Sequence, residues 1–208
     1  MNVHLLKVKW KEGELQQNTY VVEQKDGCIL IDAGVPLEEI RKITDKPISA
    51  VMLTHAHFDH IEYIEEYDRL NIPIYASIYA ERSMLDPSLN VSSMIRPKVY
   101  HVSRIYELKD NETITIGDMT IKCLYTPGHS RDSVCYLIGD KLFSGDTLFS
   151  VAIGRTDFPD SNEKDMIDSL SRLDKLEYSE LYPGHGRVSN KEEQNQNIKQ
   201  WLNILKQF

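Results

Sequence analysis

The segment Thr54-His55-Ala56-His57-Phe58-Asp59-His60 constrains this chain more than any other, because it sets four metal-ligating side chains within six consecutive residues after an apolar run, Ile48 to Leu53. A short apolar run of that kind reads as a buried strand. If the chain stays extended past its end, His55 and His57, two residues apart, point to the same side. Asp59 and His60 then open a segment from Ile61 to Leu70 in which Ile61, Ile64, Tyr67 or Asp68, and Leu70 approximate helical spacing. A turn between the two pairs aims the second pair at a neighbouring point. Asp59 at a helix start also suits the free amides there, so capping is the alternative use of that carboxylate.

Three further segments end in the same kinds of residue: Thr126-Pro127-Gly128-His129, Ser144-Gly145-Asp146 and Tyr182-Pro183-Gly184-His185. Together the five imidazoles and two carboxylates are borderline-to-hard donors suited to zinc, iron or manganese. Seven donors exceed the need of one ion. Two divalent ions about 3.5 to 4 Å apart, bridged by a carboxylate, would use the whole set and leave positions open for water or substrate. Zinc is the default occupant, with iron or manganese as the other ions these ligands accept. Cys28, Cys123 and Cys135 do not cluster; each lies in an apolar, strand-like run and reads as a buried free thiol, which suits a reducing compartment.

The 208 residues, 41% of them hydrophobic, suffice for a substantial core, and no linker divides them, so one domain over 1–208 is expected. No apolar stretch approaches membrane-spanning length and the first residues lack a signal-peptide layout, which gives a cytoplasmic expectation and no membrane partner. A net charge of -8 argues against a nucleic-acid partner. It leaves room for an anionic small molecule, since bound metal would add local positive charge.

Strands are expected over Val3 to Lys9, Asn18 to Glu23, Cys28 to Ile31, Ile48 to Leu53, Ile114 to Ile116, Thr120 to Tyr125, Val134 to Ile138, Leu142 to Ser144 and Glu180 to Tyr182. Helices are expected over Pro36 to Ile43, with the proline in the first turn, Glu163 to Leu176, and Lys191 to Lys206 after the capping pair Ser189-Asn190. The halves echo each other. In each, an apolar strand ends at an acid (Asp32, Asp146), a helix follows, and the next strand ends at a histidine (His55, His185).

The His-x-His-x-Asp-His segment followed by separate His, Asp and His segments resembles the metallo-β-lactamase superfamily over nearly the whole chain. The resemblance implies an α/β fold, a four-layer αββα sandwich with the ligands on loops along one edge. It implies that His55, His57 and His129 bind one metal, that Asp59, His60 and His185 bind the other, and that Asp146 bridges them. Asp59 would also orient the attacking water, and Asp32 in Asp32-Ala33-Gly34 would support the site from behind, unless it only caps a turn. Ser144-Gly145-Asp146-Thr147-Leu148-Phe149 and Ile153-Gly154-Arg155-Thr156-Asp157-Phe158 resemble the glyoxalase II-like branch, which implies hydrolysis of a small thioester or related ester, a thiol conjugate such as that of glutathione among the candidates. The second segment also resembles persulfide dioxygenases, where one iron uses the equivalents of His55, His129 and Asp146. A lactonase of the same fold is a further alternative.

The chain departs from that branch in two places. It has mainly one helix after His185 instead of a helical glutathione-contacting region, and Ser130-Arg131-Asp132-Ser133 stands where the family commonly has a Pro-Gly turn. Arg131 is open either to a substrate carboxylate or to a pair with Asp132, and Arg155 either to substrate or to a structural pair with Asp157. The irregular stretch from Asp86 to His101, with Met94 and Ile95 apolar among serines and prolines, is the expected substrate-facing loop. His4 and His101 lie outside any ligand pattern.

Overall fold

Apolar residues occupy successive positions, not alternate ones, in the central strands, and such strands need cover on both faces. The computed structural model, which describes residues 1–9 and 16–206, supplies that cover with two facing sheets and helices outside each. The first sheet runs β1 (Asn2–Lys9), β2 (Gln16–Glu23), β3 (Cys28–Ile31), β4 (Ile48–Met52), β5 (Ile74–Ser77) and β6 (Ile105–Leu108), in chain order. The second contains β7 (Thr113–Ile116), β8 (Met119–Tyr125), β9 (Val134–Ile138), β10 (Lys141–Gly145), β11 (Glu180–Pro183) and β12 (Ser189–Asn190), again as sequential neighbours.

The expected echo between halves is a matter of topology. In the first sheet β2 pairs antiparallel with β3, and β3 parallel with β4, Leu30 facing Val51. In the second, β9 pairs antiparallel with β10, and β10 parallel with β11, Leu142 facing Leu181. A parallel pair requires a crossover, supplied by the segment containing α1 (Leu37–Arg41) in one half and α5 (Glu163–Asp174) in the other. Each crossover returns the chain to the same strand ends. The functional loops therefore issue from one rim.

Three apolar cores separate the layers. One face of the first sheet, with Cys28, Leu30, Val51 and Leu53, packs on Ile40, Ile61, Ile64 and Tyr67 of the outer helices. Its other face, with Tyr20, Ile29, Ile31 and Met52, meets Ile121, Val134, Tyr136 and Phe143 of the second sheet. The far face of that sheet, with Leu124, Leu142 and Leu181, packs on Met166, Leu170 and Ile198 of α5 and α6 (Lys191–Leu205). Successive residues such as Leu30 and Ile31 thus serve different cores. The fold is the αββα arrangement expected.

The three cysteines are buried and unbridged, and burial pushes their thiols up to about 11 for Cys28 and Cys135 and about 12 for Cys123. Both long helices are capped by an asparagine: Asn162 accepts from Asp165 N–H at 3.0 Å and Asn190 from Glu193 N–H at 2.9 Å. An uncapped end would cost about 1 kcal/mol. No helix among the described residues is long and apolar enough to cross a membrane.

Several expectations change at their edges. Pro36 is the residue before α1, not its first turn. The single helix expected over 61–70 is two short helices, α2 (Phe58–Ile61) and α3 (Ile64–Arg69), broken where Tyr63 leaves helical geometry. Strands β5 and β6 and helix α4 (Ala80–Leu85) were not anticipated.

Candidate metal centre

Beyond β4 the chain is fixed by a carboxylate from the neighbouring strand. Asp32, at the end of β3, adopts a left-handed conformation (φ 65°) and accepts a hydrogen bond from Thr54 N–H at 2.8 Å. The Thr54 hydroxyl lies 2.9 Å from the other Asp32 oxygen and 3.1 Å from His55 Nδ1. The same Asp32 oxygen is 2.7 Å from His60 Nδ1. Asp32 is therefore no turn cap; it buttresses two histidines through one side chain. His57 precedes α2 without a side-chain cap, and Asp59, in its first turn, makes no capping bond. Its carboxylate stands 3.3 Å from His185 Nε2 instead.

The second half contributes its residues singly, each directly after a glycine. His129 follows Gly128 (φ 142°) and donates from Nδ1 to the Arg155 carbonyl at 3.0 Å. Asp146 follows Gly145 (φ 49°), where a Cβ would lie 2.5 Å from the Thr54 hydroxyl. His185 follows Gly184 and donates from Nδ1 to the Gln16 carbonyl at 2.8 Å. A Cβ on Gly184 would sit 2.2 Å from Asp146 Oδ1, so only glycine lets this loop reach the carboxylate.

The seven residues meet. Donor atoms of His55, His57 and His129 lie within 4.8 Å of one another, as do those of Asp59, His60 and His185, and those of His55, His60 and Asp146. Asp146 stands between the groups: one oxygen is 3.3 Å from His60 Nε2, the other 3.5 Å from His129 Nε2 and 3.2 Å from His185 Nε2. Outward bonds at Nδ1 leave Nε2 of His55, His60, His129 and His185 facing inward, while His57 presents Nδ1, 3.0 Å from His129 Nε2. His55 Nε2 and Asp146 Oδ1 are buried without a hydrogen-bond partner. Buried donors and acceptors of this kind are costly unless something fills the space between them, and a cation satisfies all of them at once.

The electrostatics agree. Burial and neighbouring imidazoles hold His55 and His57 well below the ordinary histidine range, hence neutral and able to bind. Burial opposes charge on His60 and His185 as well, yet Asp146 and Asp59 outweigh it, holding His60 well above its ordinary value and His185 up to about 10. Burial would raise Asp146, but His185 and His60 keep it well below the usual carboxylate range. The two carboxylates thus favour positive charge beside them, which is what a bound cation supplies.

A family profile described as the metallo-beta-lactamase superfamily matches residues 13–185. This chain belongs to the metallo-β-lactamase superfamily. Within it, the probable metallo-hydrolase YqgX of Bacillus subtilis is 34% identical over 86% of this chain and 90% of its own length. The probable polyketide biosynthesis zinc-dependent hydrolase PksB of the same organism is 30% identical over 80% of this chain and 71% of its own. Among solved structures, TTHA1623 in a di-iron-bound form superposes with a TM-score of 0.80 at 28% identity, covering 93% of this chain and 98% of that one.

Around this superfamily rim the remaining expectations divide. Asp132 does not pair with Arg131: it is buried and accepts from Ala56 N–H at 2.8 Å, between His55 and His57, while Arg131 lies over the Tyr79 ring. Burial pushes the Asp132 carboxyl up to about 6. Arg155 and Asp157 do pair, at 2.8 Å, in solvent; the arginine covers Phe158, whose ring edges against His57 and His129. The Asp86 to His101 stretch abuts the ligand turn, Asn90 accepting from Phe58 N–H at 2.8 Å, and leaves Met94 and Ile95 exposed. His4 lies near Glu23, and exposed His101 uses its backbone toward Glu65. Sequence reasoning missed Asn18, Thr54 and Asp132. For Asn18 the available signal was Gln17-Asn18-Thr19, three polar residues in succession in a strand that proves buried from Gln17 to Val22.

Proposed function

We propose that this protein is a binuclear metallohydrolase that activates water to cleave a small thioester or related ester, with residues 1–208 acting as one domain in the cytoplasm. The observation that carries the reading is the pair of donor triads with Asp146 between them. His55, His57 and His129 would hold one ion, Asp59, His60 and His185 the other, and Asp146 both. Ions held there would polarise the scissile carbonyl and lower the pKa of a bound water, so that no side-chain nucleophile is needed. Zinc is the expected ion, supported by the donor chemistry and by the zinc-dependent description of PksB; the di-iron form of TTHA1623 supports iron as the other candidate.

The chain's own residues have distinct tasks in this scheme. Outward hydrogen bonds fix the histidine tautomers so that bare nitrogens face the centre. Asp59, at the inner end of α2, orients the attacking water and receives its proton. The thioester preference rests on the segments Ser144 to Phe149 and Ile153 to Phe158. Elemental analysis of protein purified without chelator, followed by a thioester assay on the same sample, tests the reading. About two zinc, iron or manganese ions per chain with turnover are expected. One iron per chain with oxygen uptake on a low-molecular-weight persulfide would replace it with a dioxygenase, and turnover of a lactone alone would replace the substrate class.

A further inference from the structure

The loop that carries His185 is held from the opposite sheet by β2, with one side chain reaching carbonyls on both sides of the histidine. Asn18, near the start of β2, is completely buried. Its backbone N–H donates to Gly184 O at 2.7 Å. Its side-chain Nδ2 lies 2.9 Å from Pro183 O, 3.2 Å from Gly186 O and 3.2 Å from the Tyr20 hydroxyl, which itself donates to Pro183 O at 2.6 Å. Three oxygen acceptors surround that end of the amide, whereas Oδ1 has no partner, which settles the orientation of the side chain. Carbonyls before and after His185 thus converge on one amide nitrogen.

His185 is the donor that most needs such a hold. Its side chain keeps 20% of its surface exposed, against 0% for His60 and 9% for Asp146, so packing restrains it least among these three. Outside the donor cluster itself, the ring is tied through Nδ1 to the Gln16 carbonyl and edged by Phe149, and Gln16 is also on β2.

We propose that Asn18 is a positioning residue for His185, setting the Pro183 to Gly186 loop so that the imidazole meets Asp59 and Asp146, and thereby setting the affinity of that triad for its ion. The proposal rests on the two-ion reading above. An amide is required because its hydrogens satisfy carbonyls on both sides of the loop. An aspartate of the same shape would turn an oxygen toward those carbonyls, and alanine would leave the Gly186 carbonyl without this donor.

Asn18→Asp and Asn18→Ala test this. Thermal melts confirm that each variant folds, and Asn18→Asp, nearly isosteric, serves if the alanine variant does not. Two measurements on chelator-stripped protein follow: zinc titration against a chromophoric chelator, and hydrogen exchange of the Gly184 amide, which donates to Gly145 O at 2.8 Å. Gly184 exchange is expected to rise by about tenfold as the loop loosens. One of the two zinc-binding steps should weaken by about 10- to 100-fold while the other stays within about twofold. Reloaded enzyme should lose kcat with little change in KM. Faster Gly184 exchange with both zinc steps unmoved, or both weakened equally, would overturn the assignment. A wild-type chain that takes one zinc would sink the two-ion reading by itself; Asn18 would then be upheld by a loss in that single affinity and overturned by its absence.

Discussion

The two halves of the molecule reach the same rim by different means. The first delivers four donors from one continuous turn after β4, whereas the second sends three, each from a different loop and each behind a glycine. The contrast is sharpest where the parallel pairs begin. After β3 the left-handed residue is Asp32 (φ 65°), and its own carboxylate holds Thr54 and His60. At the end of β10 the left-handed residue is Gly145 (φ 49°), and the acid comes one position later. The reason is Thr54, which lies against both: it bonds to Asp32, and it occupies the space a Cβ on Gly145 would need. One repeat supports the centre from behind while the other supplies the acid that enters it. A shared topology thus carries an acid bonded outward to its supports in one half and an acid facing the donor cluster in the other.

That division can be broken most severely at Asp146. Asp146→Ala removes the only carboxylate among the described residues that touches donors of both triads. Metal content should fall below one ion per chain, and turnover by more than the roughly 100-fold that loss of a supporting partner costs. Full metal content with retained turnover would make the two acids equivalent and void the comparison. The next effect in size is Asp32→Ala. Metal affinity should drop by about 10- to 100-fold, read by chelator competition, while a stoichiometry of two is restored at high metal concentration. Permanent loss of an ion would make Asp32 a ligand and not a support. The smallest effect belongs to the first half's insertion between β5 and β6. Replacing Met94 and Ile95 together with alanine should raise KM by about threefold to tenfold, consistent with about 1 kcal/mol of lost apolar contact, and leave metal content unchanged. Unaltered kinetics across all active substrates would remove this loop from the site.

The seven side chains that meet were legible in the sequence because each sits in a local pattern: a histidine cluster after an apolar run, or a glycine and then a histidine or aspartate. The strand-helix-strand repeat was legible for the same reason. The insertion was not. β6, Ile105–Leu108, lies at the sheet edge with only Leu108 fully buried, so no apolar run announces it. The break between α2 and α3 was hidden because the apolar spacing continues through it while the backbone at Tyr63 does not. The grips between halves were illegible for a different reason. Asn18 is 165 residues from Pro183, and Asp132 is 76 from Ala56. Asp132 beside Arg131 invites a local ion pair, and only the approach of the second sheet to the His55–His57 turn reveals the backbone amide it serves.

Those long separations also bear on how the protein is made. His60 and His185, whose ring nitrogens lie 3.4 Å apart in the fold, are 125 residues apart in the chain. At about 5 to 20 residues per second, a ribosome completes His185 roughly 6 to 25 s after His60. During that interval the nascent protein displays four of its seven donors on a turn whose partners do not yet exist. An ion arriving early meets a half-built cradle with neither Asp146 nor His185 to select it. On the two-ion reading proposed above, faithful metallation waits until the second sheet has closed over the first.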